Sequence, residues 1–197
     1  HAAFPAGFRW GTAVAGFQVE MGGAPTHRDL GSDWYAWTHD ARNRCDAPFD
    51  VPSCSPNVTK DLPENGPNYY ERYSQDHALA KKKLKNNTFR LSIEWSRIFP
   101  SSTASVDTSG GIGLPELAAL DALADPDEVA HYRAVLQSLL ATGLEPFVTL
   151  NHFTLPLWIH DPIATRDALA ARDPSGPLPL FAAPAGWLDT VTVTEFE

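Results

Sequence analysis

The run Thr88-Phe89-Arg90-Leu91-Ser92-Ile93-Glu94-Trp95-Ser96-Arg97-Ile98-Phe99-Pro100 constrains the fold more than any other stretch of this chain. Phe89, Leu91, Ile93 and Trp95 alternate with Arg90, Ser92 and Glu94, which is the period of a strand. Pro100 lies beyond it, where ladder donors are no longer needed. One face is apolar and the other carries charge. A solvated edge strand would not be flanked by a Trp, an Ile and a Phe that all gain from burial. The pattern predicts a strand inside a larger assembly, with a polar end that opens into a site.

Helical periods lie on both sides of it. From Asn68, Tyr69, Tyr73 and Ala80 recur at helical steps, and Lys81, Lys82, Lys83 and Lys85 place cations where a helix C-terminus favours them. A second helix starts at Asp125, with Pro126 in the first helical position and Glu128 three residues on from the cap. Val129, Tyr132, Leu136 and Leu139 form its apolar stripe, and Gly143 ends it. The largely apolar run from Leu144 to Leu150 then reads as a strand that stops at Asn151-His152-Phe153. Near the N-terminus, Phe8 to Ala13 reads as a first short strand. Gly16, Gly22 and Gly23 mark the loop after it, which holds Gln18 and Glu20. Asp29 to Pro67 reads mostly as connection, apart from the aromatic segment Trp34 to Trp37.

Strand, helix, strand, helix, strand implies parallel strands joined by helical crossovers, in an α/β fold that is either a doubly wound sheet or an eight-stranded barrel. No GxGxxG or GxxxxGK[ST] follows a strand, so the nucleotide-binding sheets lose support and the barrel gains. At 197 residues, 43% of them hydrophobic, the chain has enough apolar material for a core. A net charge of -9 repels phosphate, which argues against nucleic acid and suits a neutral substrate. No apolar stretch reaches the roughly 20 residues that span a bilayer, so no membrane partner is expected. The expectation is a soluble, cytoplasmic chain, with localisation left open because His1 in place of Met points to a processed or excerpted sequence. Oligomeric state is not legible.

Cys45 and Cys54 have no CxxC or HxxxH nearby, so neither a metal nor another cofactor is expected. They read as free loop thiols, with a disulfide as the alternative in an oxidising compartment. Asn57-Val58-Thr59 and Asn86-Asn87-Thr88 match the short glycosylation acceptor pattern.

Three blocks carry a family likeness: Phe4-Pro5-x-x-Phe8-x-Trp10-Gly11 with Phe17-Gln18-Val19-Glu20, the charged strand Phe89 to Pro100, and Thr149-Leu150-Asn151-His152-Phe153. In this order they resemble glycoside hydrolase family 1. Asp33-Trp34-Tyr35-x-Trp37-x-His39-Asp40, Asp61 to Pro67 and Leu157 to Pro162 resemble the branch that holds archaeal β-glycosidases. The resemblance implies a (β/α)8 TIM barrel, of which residues 1–197 would be a single incomplete domain with about the first three βα units. It also implies hydrolysis of β-linked glucosides or galactosides with retention, through two carboxylates about 5 to 5.5 Å apart. In the family these stand in Asn-Glu-Pro and Glu-Asn-Gly motifs at strand ends. Glu64-Asn65-Gly66 spells the second motif but lies in a Pro-rich loop, so neither catalytic Glu is expected in this chain and the isolated chain is expected to be inactive. A non-catalytic sugar-binding protein, or an inactive truncated product, is the alternative.

By the same resemblance, Gln18 hydrogen-bonds sugar hydroxyls, as an amide that donates and accepts at once can do. His152 contacts a hydroxyl from the end of the third strand, and Trp34 and Phe153 are candidates to stack on a sugar face. Phe153 stands where many relatives have Trp. Arg90 resembles the arginine that orients the nucleophilic carboxylate, while an ordinary buried ion pair with Glu94 or another acid is its alternative reading. Glu94 and Arg97 read as a structural pair. Relatives lead into the charged strand through a helix ending in Leu-Gly. Lys83-Leu84-Lys85-Asn86-Asn87 has an extra residue and no Gly, which leaves Asn86 to take the left-handed position.

Overall fold

The computed structural model describes residues 4–176 and 185–196, so His1 and Glu197 lie outside the described residues. In chain order the elements are β1 (Gly11–Ala13), α1 (Gly16–Val19), α2 (Asp33–His39), α3 (Ala41–Arg44), α4 (Tyr69–Lys82), β2 (Thr88–Ser92) and α5 (Trp95–Ile98). There follow α6 (Leu114–Leu123), α7 (Pro126–Thr142), β3 (Glu145–Thr149), α8 (Pro162–Ala171) and α9 (Thr190–Phe196), with short 3-10 turns between some of them. The chain divides into two compact units, one of residues 1–28, 64–94 and 127–152, the other of residues 29–63, 95–126 and 153–197.

The first unit is the βαβαβ run that the hydrophobic periods predict. Its strands are parallel in the order β1-β2-β3, with Ala13 opposite Arg90, Arg90 opposite Phe147 and Ser92 opposite Thr149. Helices α4 and α7 supply Tyr69, Ala80, Val135 and Leu139 to a core shared with Phe89 and Leu91 of β2 and with Leu144. α7 starts at Pro126 and ends before Gly143, whose φ of 75° is the left-handed stop its sequence asks for. Lys81 Nζ donates to the Gly143 carbonyl at 2.6 Å, which satisfies an orphan acceptor at that stop.

Several local readings need correction. The charged strand ends at Ser92, and the chain enters α5 at Trp95. The two-residue alternation continued past Ser92 because apolar residues serve two different cores. Phe89 and Leu91 belong to the first unit, whereas Trp95 packs with Leu155 and Ile159 in the second. Gln18 lies in the one-turn helix α1, with Glu20 at its C-cap, rather than in a loop. The helix stop before β2 is made by Lys85 at φ 61°, not by Asn86. Both asparagines are committed elsewhere: Asn86 Nδ2 donates to Thr12 Oγ1, while Asn87 accepts from Trp10 N and donates to the Phe8 carbonyl. The left-handed cost of about 1 kcal/mol therefore falls on a lysine. Asn86 is also buried, which removes it as a glycosylation acceptor.

The second unit is helical. The aromatic segment set apart from the surrounding connection is α2, started by Ser32 Oγ accepting from Trp34 N at 3.3 Å. Asp40 caps α3 and Asp161 caps α8 in the same manner. Trp95, Leu155 and Ile159 form its core, flanked by Phe99 and Trp158, and Trp158 Nε1 donates to the Phe99 carbonyl at 2.9 Å. Cys45 and Cys54 are not free thiols. They are joined as a disulfide with Cα atoms 5.9 Å apart, because Cys45 turns left-handed after α3 and Asn57 N bonds back to the Asn43 carbonyl. Among the described residues, no helix is long and apolar enough to cross a membrane.

Two outcomes follow from the first unit. His77 is fully buried between Tyr69 Oη (2.8 Å) and Ser138 Oγ (3.0 Å), and burial lowers its pKa to about 4. With the folded value below the unfolded ~6.5, the unfolded chain takes up the proton first. Stability is then fully present above pH ~6.5, falls as pH drops toward 4, and is lost by roughly 3 kcal/mol below it. Denaturant titrations of the parent and of His77→Gln between pH 7 and 4 check this, with the variant expected to lose the pH dependence. Gly22 has φ 121°, and a Cβ there would overlap the Gly66 carbonyl oxygen. Gly22→Ala is expected to destabilise by at least about 2 kcal/mol, read as a lowered denaturation midpoint.

Candidate active site

The C-terminal ends of β2 and β3 carry the polar groups of the first unit. Arg90 projects from the middle of β2 and reaches across to β3 and the residues after it. Its Nε donates to Thr149 Oγ1 at 2.6 Å and its Nη2 to His152 Nδ1 at 2.8 Å. A guanidinium can only donate, so Nδ1 of His152 is the acceptor and the ring proton sits on Nε2. Partial burial and then the Arg90 charge both lower the His152 pKa, which keeps the imidazole neutral. The alternative reading of Arg90 as a partner of Glu94 is not what these bonds describe. Its two neighbours are a hydroxyl and a neutral ring, and neither cancels its charge.

Gln18 is exposed on α1. That helix is anchored at both ends. Gly16 N donates to Ser92 Oγ at 2.8 Å, and a Cβ on Gly16 would collide with the Glu94 side chain. At the other end Glu20 is buried and accepts from Tyr132 Oη at 3.0 and 3.2 Å. The same Tyr132 oxygen accepts from Glu94 N at 3.2 Å, and Ser92 Oγ donates to Glu94 Oε1 at 3.1 Å. Glu94 is therefore a buried acceptor at the strand end. In the second unit Arg97 lies beside Asp29, whose pKa is raised by burial against the lowering pull of that guanidinium and of the Ser96 hydroxyl.

The second unit carries Trp34 and Phe153, whose rings stack 6.1 Å apart at 16°. Phe153 is 67% exposed with φ 70°, an uncommon conformation for a bulky residue, of the kind that is held at ligand sites. Trp10 instead packs with Phe4 and Phe8 in an exposed aromatic cluster before β1, and Trp37 lies on α2. Glu64 lies in a 3-10 turn from Pro63 to Asn65 that directly follows no strand in the chain. Among the described residues, no group of three or more His, Cys, Asp or Glu could hold a metal ion.

Sequence reading missed the partners more than the residues themselves. Thr149 as a ligand of Arg90, Tyr132 as the tie to Glu20, and the bond from His160 Nδ1 to Asp33 Oδ2 at 2.8 Å each join positions 59 to 127 residues apart. The one available signal was the Tyr in the α7 stripe, since a buried tyrosine needs a partner for its hydroxyl. Arg90→Met is expected to raise the His152 pKa toward the ordinary ~6.5, followed as the imidazole chemical shift against pH. An unchanged midpoint would remove the electrostatic link between the two.

This chain is similar to the β-galactosidases of Pyrococcus woesei (38% identical over 206 residues) and Saccharolobus solfataricus (38% over 202 residues). The alignments cover 98% of this chain but 36% and 37% of those proteins. Among solved structures it is similar to a hyperthermophilic β-glucosidase from Pyrococcus furiosus (TM-score 0.80, 37% identity), covering 98% of this chain and 39% of that one. Fpglu1 from a Fervidobacterium gives a TM-score of 0.81 at 38% identity, with 98% and 37% covered. The chain thus spans little more than a third of the length of these relatives. Residues 1–165 match the sequence model of glycosyl hydrolase family 1, and with a parallel βαβαβ unit of this identity the chain belongs to that family.

Proposed function

We propose that this chain supplies the first three βα units of a (β/α)8 barrel in a retaining β-glycosidase that hydrolyses uncharged β-glucosides or β-galactosides. The observation that carries this is the cluster of Arg90, Thr149 and His152 at the C-terminal ends of two parallel strands, where barrel enzymes build their sites. The names of the similar proteins, β-galactosidase and β-glucosidase, support the substrate class.

In this reading each residue has a chemical task. His152, neutral and protonated at Nε2, donates a hydrogen bond to a sugar hydroxyl. Gln18 donates to one hydroxyl and accepts from another. Trp34 and Phe153 offer ring faces to the C-H face of a pyranose. Arg90 keeps N-H groups beyond those bound to Thr149 and His152, and these hold the nucleophilic carboxylate ionised and aimed at the anomeric carbon. In this reading that carboxylate and the acid/base carboxylate belong to later strands, and Glu20, held by Tyr132, and Glu94, held by Ser92, serve as structural acceptors. The reaction forms a glycosyl-enzyme ester with loss of the protonated aglycone, and water then cleaves the ester with net retention.

The 197-residue chain alone is expected to release no 4-nitrophenol from 4-nitrophenyl β-glucoside or β-galactoside above the buffer rate. The complete protein that carries it is expected to do so and, with methanol present, to form the methyl β-glycoside. Methyl α-glycoside, or turnover by the isolated chain at an enzymatic rate, would sink the proposal. Arg90→Met in the complete protein is expected to lower kcat by roughly 100-fold, the order seen when one preorganised donor is lost.

A further inference from the structure

Helices α2 and α8 of the second unit border a cavity of about 740 Å³ that nothing so far assigns. Its walls include the indoles of Trp34 and Trp37 together with Val58, Pro162 and Leu169. Its charged groups are already compensated. Arg166 donates to both oxygens of Asp40 (2.7 and 3.2 Å) and, through Nε, to Asp167 at 3.0 Å. Asp33 is buried and accepts from Leu155 N at 3.0 Å and from His160 Nδ1 at 2.8 Å. Thr38 Oγ1 is spent on the Trp34 carbonyl at 2.8 Å.

Two polar side-chain atoms of the lining are left over, Thr165 Oγ1, which is buried without a partner, and a ring nitrogen of His160. A carboxylate can only accept, so His160 carries a proton on Nδ1, and its Nε2 presents a lone pair with no partner among the described residues. The Asp33 carboxylate fixes the Nδ1 proton and the ring orientation. We propose that this cavity binds an uncharged aromatic ring bearing a hydroxyl, with the ring against Trp34 and Trp37 and the hydroxyl donating to His160 Nε2. An anion would face the Asp33 carboxylate, and the lining Arg166 is already held by Asp40 and Asp167. A cation would compete with Arg166 for carboxylates it already holds. A free sugar presents hydroxyls around its whole rim, more than Thr165 Oγ1 and His160 Nε2 together can satisfy. The site goes beyond the glycosidase reading and does not rest on it. The two share only Trp34, which also stacks on Phe153.

The test uses the 197-residue chain and 2-naphthol, followed by tryptophan fluorescence and calorimetry, with 2-naphthoate as the anionic probe of the same ring system. Saturable one-to-one binding of 2-naphthol is expected, with 2-naphthoate at least tenfold weaker. Leu169→Arg is expected to weaken 2-naphthol at least tenfold with an unchanged near-ultraviolet dichroism spectrum, since Leu169 is 41% exposed and its replacement leaves the core intact. His160→Phe keeps a ring in place and removes the acceptor, and it is expected to bring 2-naphthol down to the affinity of unsubstituted naphthalene. Non-saturable uptake, equal affinity for 2-naphthoate, or unaltered binding by Leu169→Arg would overturn the proposal. So would a second copy of the chain, detected by sedimentation, that 2-naphthol displaces.

Discussion

The register between β2 and β3 is the constraint on which the first unit depends. With Ser92 opposite Thr149 and Arg90 opposite Phe147, the guanidinium reaches Thr149 Oγ1 and His152 Nδ1. A slip of one residue would turn Phe89 and Leu91 away from the core and carry Arg90 into it, so the hydrophobic residues that lock the register also aim the arginine. Packing and chemistry are therefore not separate layers in this strand. The core formed by Tyr69, Val135, Leu139 and Leu144 holds a charged residue against the Thr149 hydroxyl and the His152 ring.

A buried polar network does comparable work at the end of the strand. Leaving a buried carboxylate without hydrogen bonds costs several kcal/mol, so Glu20 and Glu94 require partners. Tyr132 serves both, donating to the Glu20 carboxylate and accepting from the Glu94 backbone, and Ser92 links Glu94 to the first turn of α1. A four-residue helix has little stability of its own. These bonds are what keep α1, and with it Gln18, beside the end of β2.

Much of this was legible in the sequence. The helical period from Tyr69 and the Asp-Pro start of α7 each located an element to within a residue or two, because both signals are local. The later half of the charged run was misread because Trp95 and Phe99 are apolar for the sake of a different core from that of Phe89. A two-residue period does not say which partner each side chain has. Lys85 took the left-handed turn against the usual preference since the amides of Asn86 and Asn87 were needed to tie down Trp10 and Thr12. Nothing local announces that demand. Cys45 and Cys54 were ambiguous for a similar reason, since their pairing depends on how the intervening loop folds back on Asn43.

The sequence by itself determined the strand-helix-strand-helix-strand order of the first unit, its parallel topology, the family likeness and the choice of Gln18, Arg90 and His152 as candidates. These follow from residue periods and short motifs, in which neighbours along the chain carry the information. Only the tertiary structure decided what each of those groups touches. It made Arg90 the donor to a neutral His152, gave Tyr132 two carboxylate-bearing residues to hold, and set Asp33 against His160. Each of these bonds closes a loop of dozens of residues. Its geometry is settled by the packing of every element in between, a sum over many weak contacts that no local pattern encodes.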